Sequence, residues 1–348
     1  GRGPPDRGRR PGPVHARFRM RVKGRSLETV KAGGGSASLP APTLEHPALF
    51  YRSQDEFVAG TAPFVQAGLD AGEPVLVSVP GVRIVPLRAA LRGPVERVRF
   101  ADMTEVGRNP SRIIPFVARS VAGQAGRGVR LVGERIWPGR SAAETRECVR
   151  HEALLNAAFA AADIAICCPY DVAALDPKIQ LDAERTHPLV GPAGQWRVSP
   201  HYTDPEVLYA AADRPLPEPP GRARAVPFGA GDLPRLRALI RRRARRAGVP
   251  AARAGDLLVA VNEVTTNTLT HTGAGGTLRI WLDRVVGELI CELRDTGHIR
   301  DLLAGRRRPA LNADHGRGLW LANQLCDLVE LRSGEQDTVI RLHARLDG

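Results

Sequence analysis

The stretch "VNEVTTNTLTHTG", residues 261–273, decides how the second half of this chain is read. Glu263, Asn267 and His271 recur at intervals of four, and residues four apart on an α-helix are neighbours on one face. Val261 and Val264 point elsewhere. A carboxylate, an amide and an imidazole in one line are either a solvated stripe or one wall of a site, and the chain around them has to decide. "GTLRIWLD" (276–283) and "ELICELRD" (288–295) alternate apolar and polar residues, and the short "RVVG" between them makes an antiparallel hairpin. The hairpin runs into Asp295-Thr296-Gly297. A Gly- and Arg-rich stretch then leads to Gly316-Arg317-Gly318, which opens a short helix, "LWLANQLC". Two strands, "LVELRS" and "TVIRLHARL", close the region. Upstream, "LPRLRALIRRRARRAG" is a helix capped by Asp232 and ended by Gly248. Leu233, Leu236, Leu239 and Ile240 form its apolar stripe. Its seven arginines read as a solvated face, an acidic partner surface being the functional alternative. Helices and antiparallel strands segregate, so residues 229–348 form an α+β layer.

The preceding "DRPLPEPPGRARAVPF", residues 213–228, is dense enough in proline to exclude helix and central strand, and reads as a semi-rigid linker. Residues 44–212 differ in kind. "ALFYR", "EPVLVSVP", "VERVRFAD", "GVRLVGER" and "ADIAICCPYD" are strand signals, with helical patterns between them. Ser53 with Glu56, and Ser141 with Glu144, have the spacing of capping boxes. Strand–helix alternation implies an α/β domain with a mostly parallel sheet. In such a sheet ligands bind at the carboxyl ends of the strands. Those ends carry Glu134, Arg135, Trp137 and Arg140 in one place and Tyr170 and Asp171 in another, a candidate sensory pocket. Loop capping and salt bridges between loops are the plain alternative. No G-x-x-x-x-G-K-[ST] occurs, so a phosphate loop of that kind is excluded.

The net charge of +13 suggests nucleic acid until it is located. Residues 1–40 hold ten basic against two acidic residues, so most of the excess lies in a Gly-, Pro- and Arg-rich tail. Residues 1–43 are expected to be disordered, having too few large apolar residues to offset the entropy of ordering. Because residue 1 is Gly and Met20 follows, part of this tail is expected to precede the natural start. Nothing later reads as a turn followed by a recognition helix, so direct DNA binding is not expected beyond nonspecific tail contacts. No apolar run reaches the roughly 18 residues of a membrane span, and no secretory signal is seen. The five cysteines are odd in number and form no C-x-x-C, which argues for a reducing cytosol and against a disulfide framework. Cys148-x-x-His151 with Cys167-Cys168 offers metal-binding residue types, but buried small hydrophobes are the simpler reading.

The ordered set of helix acid and amide, D-x-G and G-x-G-L resembles the GHKL (Bergerat) ATPase superfamily, and more narrowly the anti-sigma-factor serine kinases of bacterial stress and sporulation switches. The resemblance implies ATP and Mg²⁺ as cofactors. Asn267 would offer its amide oxygen to Mg²⁺, a hard cation that takes oxygen ligands. Glu263 would position or deprotonate the incoming hydroxyl. Asp295 would hydrogen-bond the adenine amino group, Gly297 would let the backbone approach the purine, and Thr338 would lie near adenine. Gly316 and Gly318 would leave N–H groups for phosphate at a helix N-terminus, with Arg317 beside them. Two features depart from the family pattern. Ile299 stands where D-x-G-x-G has its second glycine, and the lid is short and arginine-rich (Arg306, Arg307, Arg308).

The first region, on "HPALFYRSQDEF", "FADMTEVGRNPSRIIPF", "GERIWPGRS", "ECVRHEALLNAAF" and "CPYDVAALD", is similar to the MEDS sensory domain, which is related to the RecA-like fold and lacks its phosphate loop. This implies sensing of a small molecule without naming it. "RHEALLN" superficially resembles a histidine kinase's phospho-acceptor, but no heptad pattern follows it. The combined expectation is a cytoplasmic, sensor-coupled anti-sigma regulator. It would bind Mg-ATP, phosphorylate Ser or Thr of an anti-sigma-factor antagonist of the STAS type, and sequester a sigma factor. The alternative is a partner-binding module without kinase activity. The resemblance also implies homodimers, though no residue here marks the interface.

Overall fold

The computed structural model describes residues 44–122, 128–212, 215–309 and 316–346. The basic tail lies outside them. The first region builds one eight-stranded sheet. Its strands are β1 (Leu44–Glu45), β2 (Pro47–Tyr51), β3 (Val75–Val79), β4 (Val98–Asp102), β5 (Val129–Gly133), β6 (Ile164–Asp171), β7 (Leu189–Gly191) and β8 (Arg197–Val198). They run in the order β4-β3-β5-β6-β2-β7-β8, with β1 pairing β6, and every pair except β7–β8 is parallel. The helices are α1 (Gln54–Asp70), α2 (Gly81–Ala89), α3 (Met103–Val106), α4 (Ile113–Val121), α5 (Ala142–Ala158), α6 (Pro177–Thr186) and α7 (Pro205–Ala212). Both faces of the sheet are covered. Leu76, Leu131, Ile166 and Cys168 pack on one side, and Val77, Val79, Val132 and Cys167 on the other. This is why β3 reads as a continuous apolar run, all five of its residues being buried.

The second region is a separate five-stranded antiparallel sheet, ordered β12-β13-β11-β10-β9. Its strands are β9 (Val226–Phe228), β10 (Gly276–Asp283), β11 (Glu288–Asp295), β12 (Leu328–Ser333) and β13 (Thr338–Arg345). Helices α8 (Leu233–Ala247), α9 (Ala251–Thr272) and α10 (Arg317–Leu325) share one apolar core with the sheet, through Leu236, Ile240, Val261, Val264, Leu278, Leu293 and Leu342. Three residues of the proline-rich segment, including Pro227, join as β9 at the edge, where a missing N–H is tolerated. Ala223 and Pro217 of that segment reach the sheet's other face. Ala223 packs with Trp281 and Ile290, and the Pro217 carbonyl accepts from Arg341.

Two expected caps differ. Ser141 and Glu144 make the full reciprocal box. Ser53 accepts from the Glu56 N–H, but the Glu56 carboxylate accepts from Arg52, so that box is open on one side. Asp232 stands at the start of α8 without bonding its first turn. Pro234 occupies the second helical position and has no N–H to give, so the carboxylate takes the Gly229 N–H at 2.9 Å and pairs with Arg235 at 3.0 Å.

Candidate functional site

Helix α9 carries Glu263 and Asn267 on the face that α10 approaches. The contact is made by Gly318. A Cβ built there would meet Asn267 Nδ2 at 2.8 Å, Asn267 Oδ1 at 3.2 Å and Glu263 Oε2 at 3.1 Å. A Cβ there would displace the ends of both side chains. Gly316 precedes α10 with φ 86°, the left-handed region that glycine adopts without strain. Arg317 is exposed on the first turn. His271, third in the line on α9, is exposed near the helix end and outside this contact.

Asp295 ends β11, and its carboxylate is engaged on both oxygens. Oδ2 accepts from Thr268 Oγ1 at 2.5 Å and Oδ1 from the Gly297 N–H at 2.8 Å. Thr338 Oγ1 donates to the Gly297 carbonyl at 2.8 Å and lies 2.7 Å from Ser333 Oγ. Ser333 Oγ in turn accepts from the Ile299 N–H at 2.8 Å. The residue in place of the second glycine is thus tied by its backbone to the last hairpin, while its side chain packs on the domain core. A cleft of about 380 Å³ borders Asp295 and is lined by Phe228, Thr277, Arg294 and Asp337.

The stretch between the two glycine motifs reaches into the first domain. Leu303 belongs to the core formed by Ile113, Phe116 and Leu154. Arg306 is buried and donates to Glu147 of α5 at 3.1 Å. Arg332 and Arg150 meet the same carboxylate at 2.7 Å and 3.3 Å. Burial alone would push the Glu147 carboxyl up, but the three guanidiniums hold it below its ordinary value. On either side, Arg345 pairs with Glu144 at 2.8 Å and Arg146 with Glu330 at 3.0 Å. Helix α10 is held at its other end. Arg112 donates to the carbonyls of Asn323 and Cys326 at 2.8 Å and 2.7 Å, and Asn109 to that of Asn323 at 3.0 Å. A cation at a helix C-terminus supplies donors the last turn lacks. The first domain therefore grips the stretch between the glycine motifs and the far end of the helix that the G-x-G motif opens. None of this was visible in local sequence, because the partners lie up to 214 residues apart.

At the strand ends of the first domain, the residues read as one pocket separate into three places. Glu134 and Asp171 come together with Tyr51 and Arg83. Tyr51 donates to Glu134 at 2.7 Å, Arg83 pairs with Asp171 at 3.0 Å, and the Arg83 guanidinium lies over the Tyr51 ring at 5.1 Å. Burial pushes the Glu134 carboxyl up to about 7, with Tyr51 and Arg83 opposing and Asp171 adding to the rise. Arg140 stacks on Trp137 at 3.6 Å and donates to the carbonyls of Arg135, Arg108 and Gly107, so these two clamp loops. Tyr170 lies on the opposite face of the sheet, its ring edge-on to His187. Cys148, Cys167 and Cys168 do not converge. Cys167 and Cys168 alternate to opposite faces, and the Cys148 thiol donates to the Arg135 carbonyl at 3.4 Å.

The acid and amide of α9 thus lie against the glycine turn that opens α10, and the D-x-G motif ends β11. Comparison with protein families gives the particulars. Residues 45–188 match the MEDS family, the methanogen/methylotroph DcmR sensory domain, and residues 226–344 match the histidine kinase-like ATPase domain. Together the two matches describe a MEDS domain fused to a histidine kinase-like ATPase domain. A search of curated proteins finds no match. Among solved structures, the RsbU and RsbW domains of a Mycobacterium tuberculosis protein align at 18% identity and TM-score 0.27, over 35% of this chain and 32% of that one. The SiaB–SiaC complex from Pseudomonas aeruginosa aligns at 15% identity and TM-score 0.28, over 35% of this chain and 90% of that one. This chain spans about a third of the first structure's length. Among the described residues, no helix is long and apolar enough to cross a membrane.

Proposed function

We propose that the second domain, a Bergerat-type layer, binds Mg-ATP, phosphorylates a Ser or Thr of an anti-sigma-factor antagonist, and holds a sigma factor in the alternative complex. The RecA-related MEDS domain governs it in response to a small molecule. The observation that carries this reading is the approach of Gly318 to Asn267 and Glu263. A side chain there would fill the cradle, and the donors around it suit a magnesium–phosphate group: an amide oxygen, a carboxylate and the N–H groups of a helix start. Asn267 holds Mg²⁺, Gly316, Arg317 and Gly318 face phosphate, and Asp295 accepts from the adenine amino group. Bound Mg-ATP supplies the phosphoryl group. Glu263 positions the acceptor hydroxyl and takes its proton. Thr338 acts through Gly297, whose carbonyl it holds. The sensory reading rests on Glu134 and Asp171 at the strand ends, beside Tyr51 and Arg83.

A titration of fluorescent ATP with Mg²⁺ into the full chain tests the assignment. Saturable binding is expected, and it is lost in Asn267→Ala without loss of fold. Equal affinity in the two proteins overturns the site. The alternative, a partner-binding module without kinase activity, is favoured by Ile299 in the first glycine box. Nucleotide binding without phosphotransfer to a purified antagonist selects it.

A further inference from the structure

A second constellation lies in the interior of the MEDS domain, away from the nucleotide site. His46 sits between β1 and β2, Glu152 on α5, Cys168 on β6 and His187 just after α6, and all four are buried. One ligand atom from each, His46 Nε2, Glu152 Oε2, Cys168 Sγ and His187 Nε2, lies within 4.8 Å of every other. Individual separations are 3.2 Å for His46–Cys168, 3.4 Å for His46–Glu152, 3.7 Å for His187–Glu152 and 3.8 Å for Cys168–Glu152. Around a tetrahedral zinc, Zn–N distances of about 2.0 Å and Zn–S of about 2.3 Å set neighbouring ligand atoms about 3.3–3.6 Å apart.

The surroundings decide which way the imidazoles present themselves. Asn156 Nδ2 donates to the Thr186 carbonyl at 2.8 Å, and a carbonyl can only accept. Its Oδ1 therefore faces His46 Nδ1, 3.0 Å away, and that nitrogen must carry the proton. His187 Nδ1 is 2.9 Å from the Ala183 carbonyl, so it too is the protonated nitrogen. Both rings thus turn an Nε2 lone pair toward a carboxylate and a sulfur. A thiol proton on Cys168 can satisfy one of them. Among the described residues, the fully buried His187 Nε2 has no hydrogen-bond partner. A cation at the centre satisfies all four atoms at once. Metal-bound histidines commonly donate their other N–H to a backbone carbonyl or a carboxylate, and here a carbonyl and a side-chain amide oxygen stand in those places. The Arg135 guanidinium, 2.7 Å from Cys168 Sγ and 3.3 Å from Glu152 Oε1, supplies the positive charge that stabilises a thiolate in the interior.

We propose that His46, Glu152, Cys168 and His187 form a closed tetrahedral site for a divalent transition-metal ion of the zinc type. Two nitrogens, one thiolate and one carboxylate suit zinc better than the oxygen-seeking Mg²⁺ or Ca²⁺. Binding forms one bond from each ligand to the metal and releases the Cys168 thiol proton to solvent. The site joins α5 to β6 and to the starts of β2 and β7. Glu152 stands five residues from Glu147, so the same helix carries the metal ligand and the carboxylate that takes Arg306.

The full-length protein, treated with chelator and shown by circular dichroism to remain folded, is titrated with Co²⁺ and then Zn²⁺. One equivalent of cobalt should bind with the ligand-field bands of a four-coordinate centre and a sulfur-to-cobalt charge-transfer band, both abolished by one equivalent of zinc. Cys168→Ser should lose the charge-transfer band, whereas Cys148→Ser and Cys167→Ser keep it. Asn156→Ala, which removes an outer-shell partner, should weaken cobalt binding about 10- to 100-fold. A folded wild-type protein that takes up no cobalt overturns the proposal, whatever the variants do. So does a charge-transfer band that survives Cys168→Ser.

Discussion

The Arg306 guanidinium donates to the Glu147 carboxylate across 3.1 Å, joining the stretch between the two glycine motifs of the ATPase domain to helix α5 of the MEDS domain. Glu147 is the common anion for Arg150, Arg306 and Arg332, all of them buried. Replacing it with alanine leaves three guanidiniums without their shared counter-charge. Removing one partner of a buried ion pair costs about 3–5 kcal/mol. Chemical denaturation of Glu147→Ala should show a loss of that size. Arg306→Ala, which leaves the carboxylate two other cations, should lose clearly less. Equal losses would mean that the Arg306 contact alone accounts for the effect.

Gly318→Ala places a methyl group 2.8 Å from Asn267 Nδ2 and 3.1 Å from Glu263 Oε2. The two side chains must move from the G-x-G turn, or the turn from them. Mg-ATP affinity should fall at least about tenfold, or about 1.4 kcal/mol, with the circular dichroism unchanged. An alanine variant that binds as tightly as wild type would show that the turn does not wall the nucleotide site.

His343 lies between Glu288 and Glu330, at 2.8 Å and 3.2 Å, in the interior of the chain. Burial pulls its pKa down, but hydrogen bonds and charges from the two carboxylates win and raise it to about 9, from an ordinary 6.5. Arg146 and Arg345 pair with the same carboxylates from α5 and β13. A raised folded pKa stabilises at pH values below 6.5 and loses that contribution as pH climbs through 9. The melting temperature should therefore fall steadily between pH 6.5 and 9. His343→Gln should flatten that slope, and a slope identical in the variant would assign the pH dependence to other groups.

Glu134 gives the same sign of pH dependence from a different cause, an acid raised by burial to about 7. Its protonated form favours the fold below pH 4.5, and that contribution is lost as pH rises through 7. The Tyr51 hydroxyl stabilises the carboxylate at 2.7 Å. In Tyr51→Phe the carboxyl should titrate higher still, read from the ¹³C shift of its side-chain carbon. An unmoved titration would remove Tyr51 from the cluster.

The hairpin 276–283/288–295 could be read residue for residue because alternation and a four-residue loop are local signals. Gly316-Arg317-Gly318 does open a helix, a reading that rests on its place after the D-x-G and not on its spacing alone. Strands β1, β7 and β8, of two or three residues, are too short to show a period, and their pairing comes from the sheet. Asp232 misled because local cap chemistry was overruled by a proline two residues on. The strand-end residues Glu134 and Asp171 did come together, whereas Arg140 found three backbone carbonyls and Tyr170 turned to the other face. Glu147 and the His46–His187 cluster gave no local signal at all. Their partners come from the far side of the chain, 159 residues away for Arg306. The Cys148 and Cys167–Cys168 spacings drew the eye to the wrong neighbours of Cys168.

The row of charges along α5 also bears on recombination of the two domains. Glu144, Arg146, Glu147 and Arg150 each find a counterpart on the ATPase domain, in Arg345, Glu330, Arg332 with Arg306, and the Leu331 carbonyl. A chimera cut at the proline-rich segment, grafting this ATPase domain onto a foreign first domain, would leave Arg306 and Arg332 without the Glu147 carboxylate. The two halves are thus matched along α5, and an exchange that keeps these pairs has to carry α5 along with the ATPase domain.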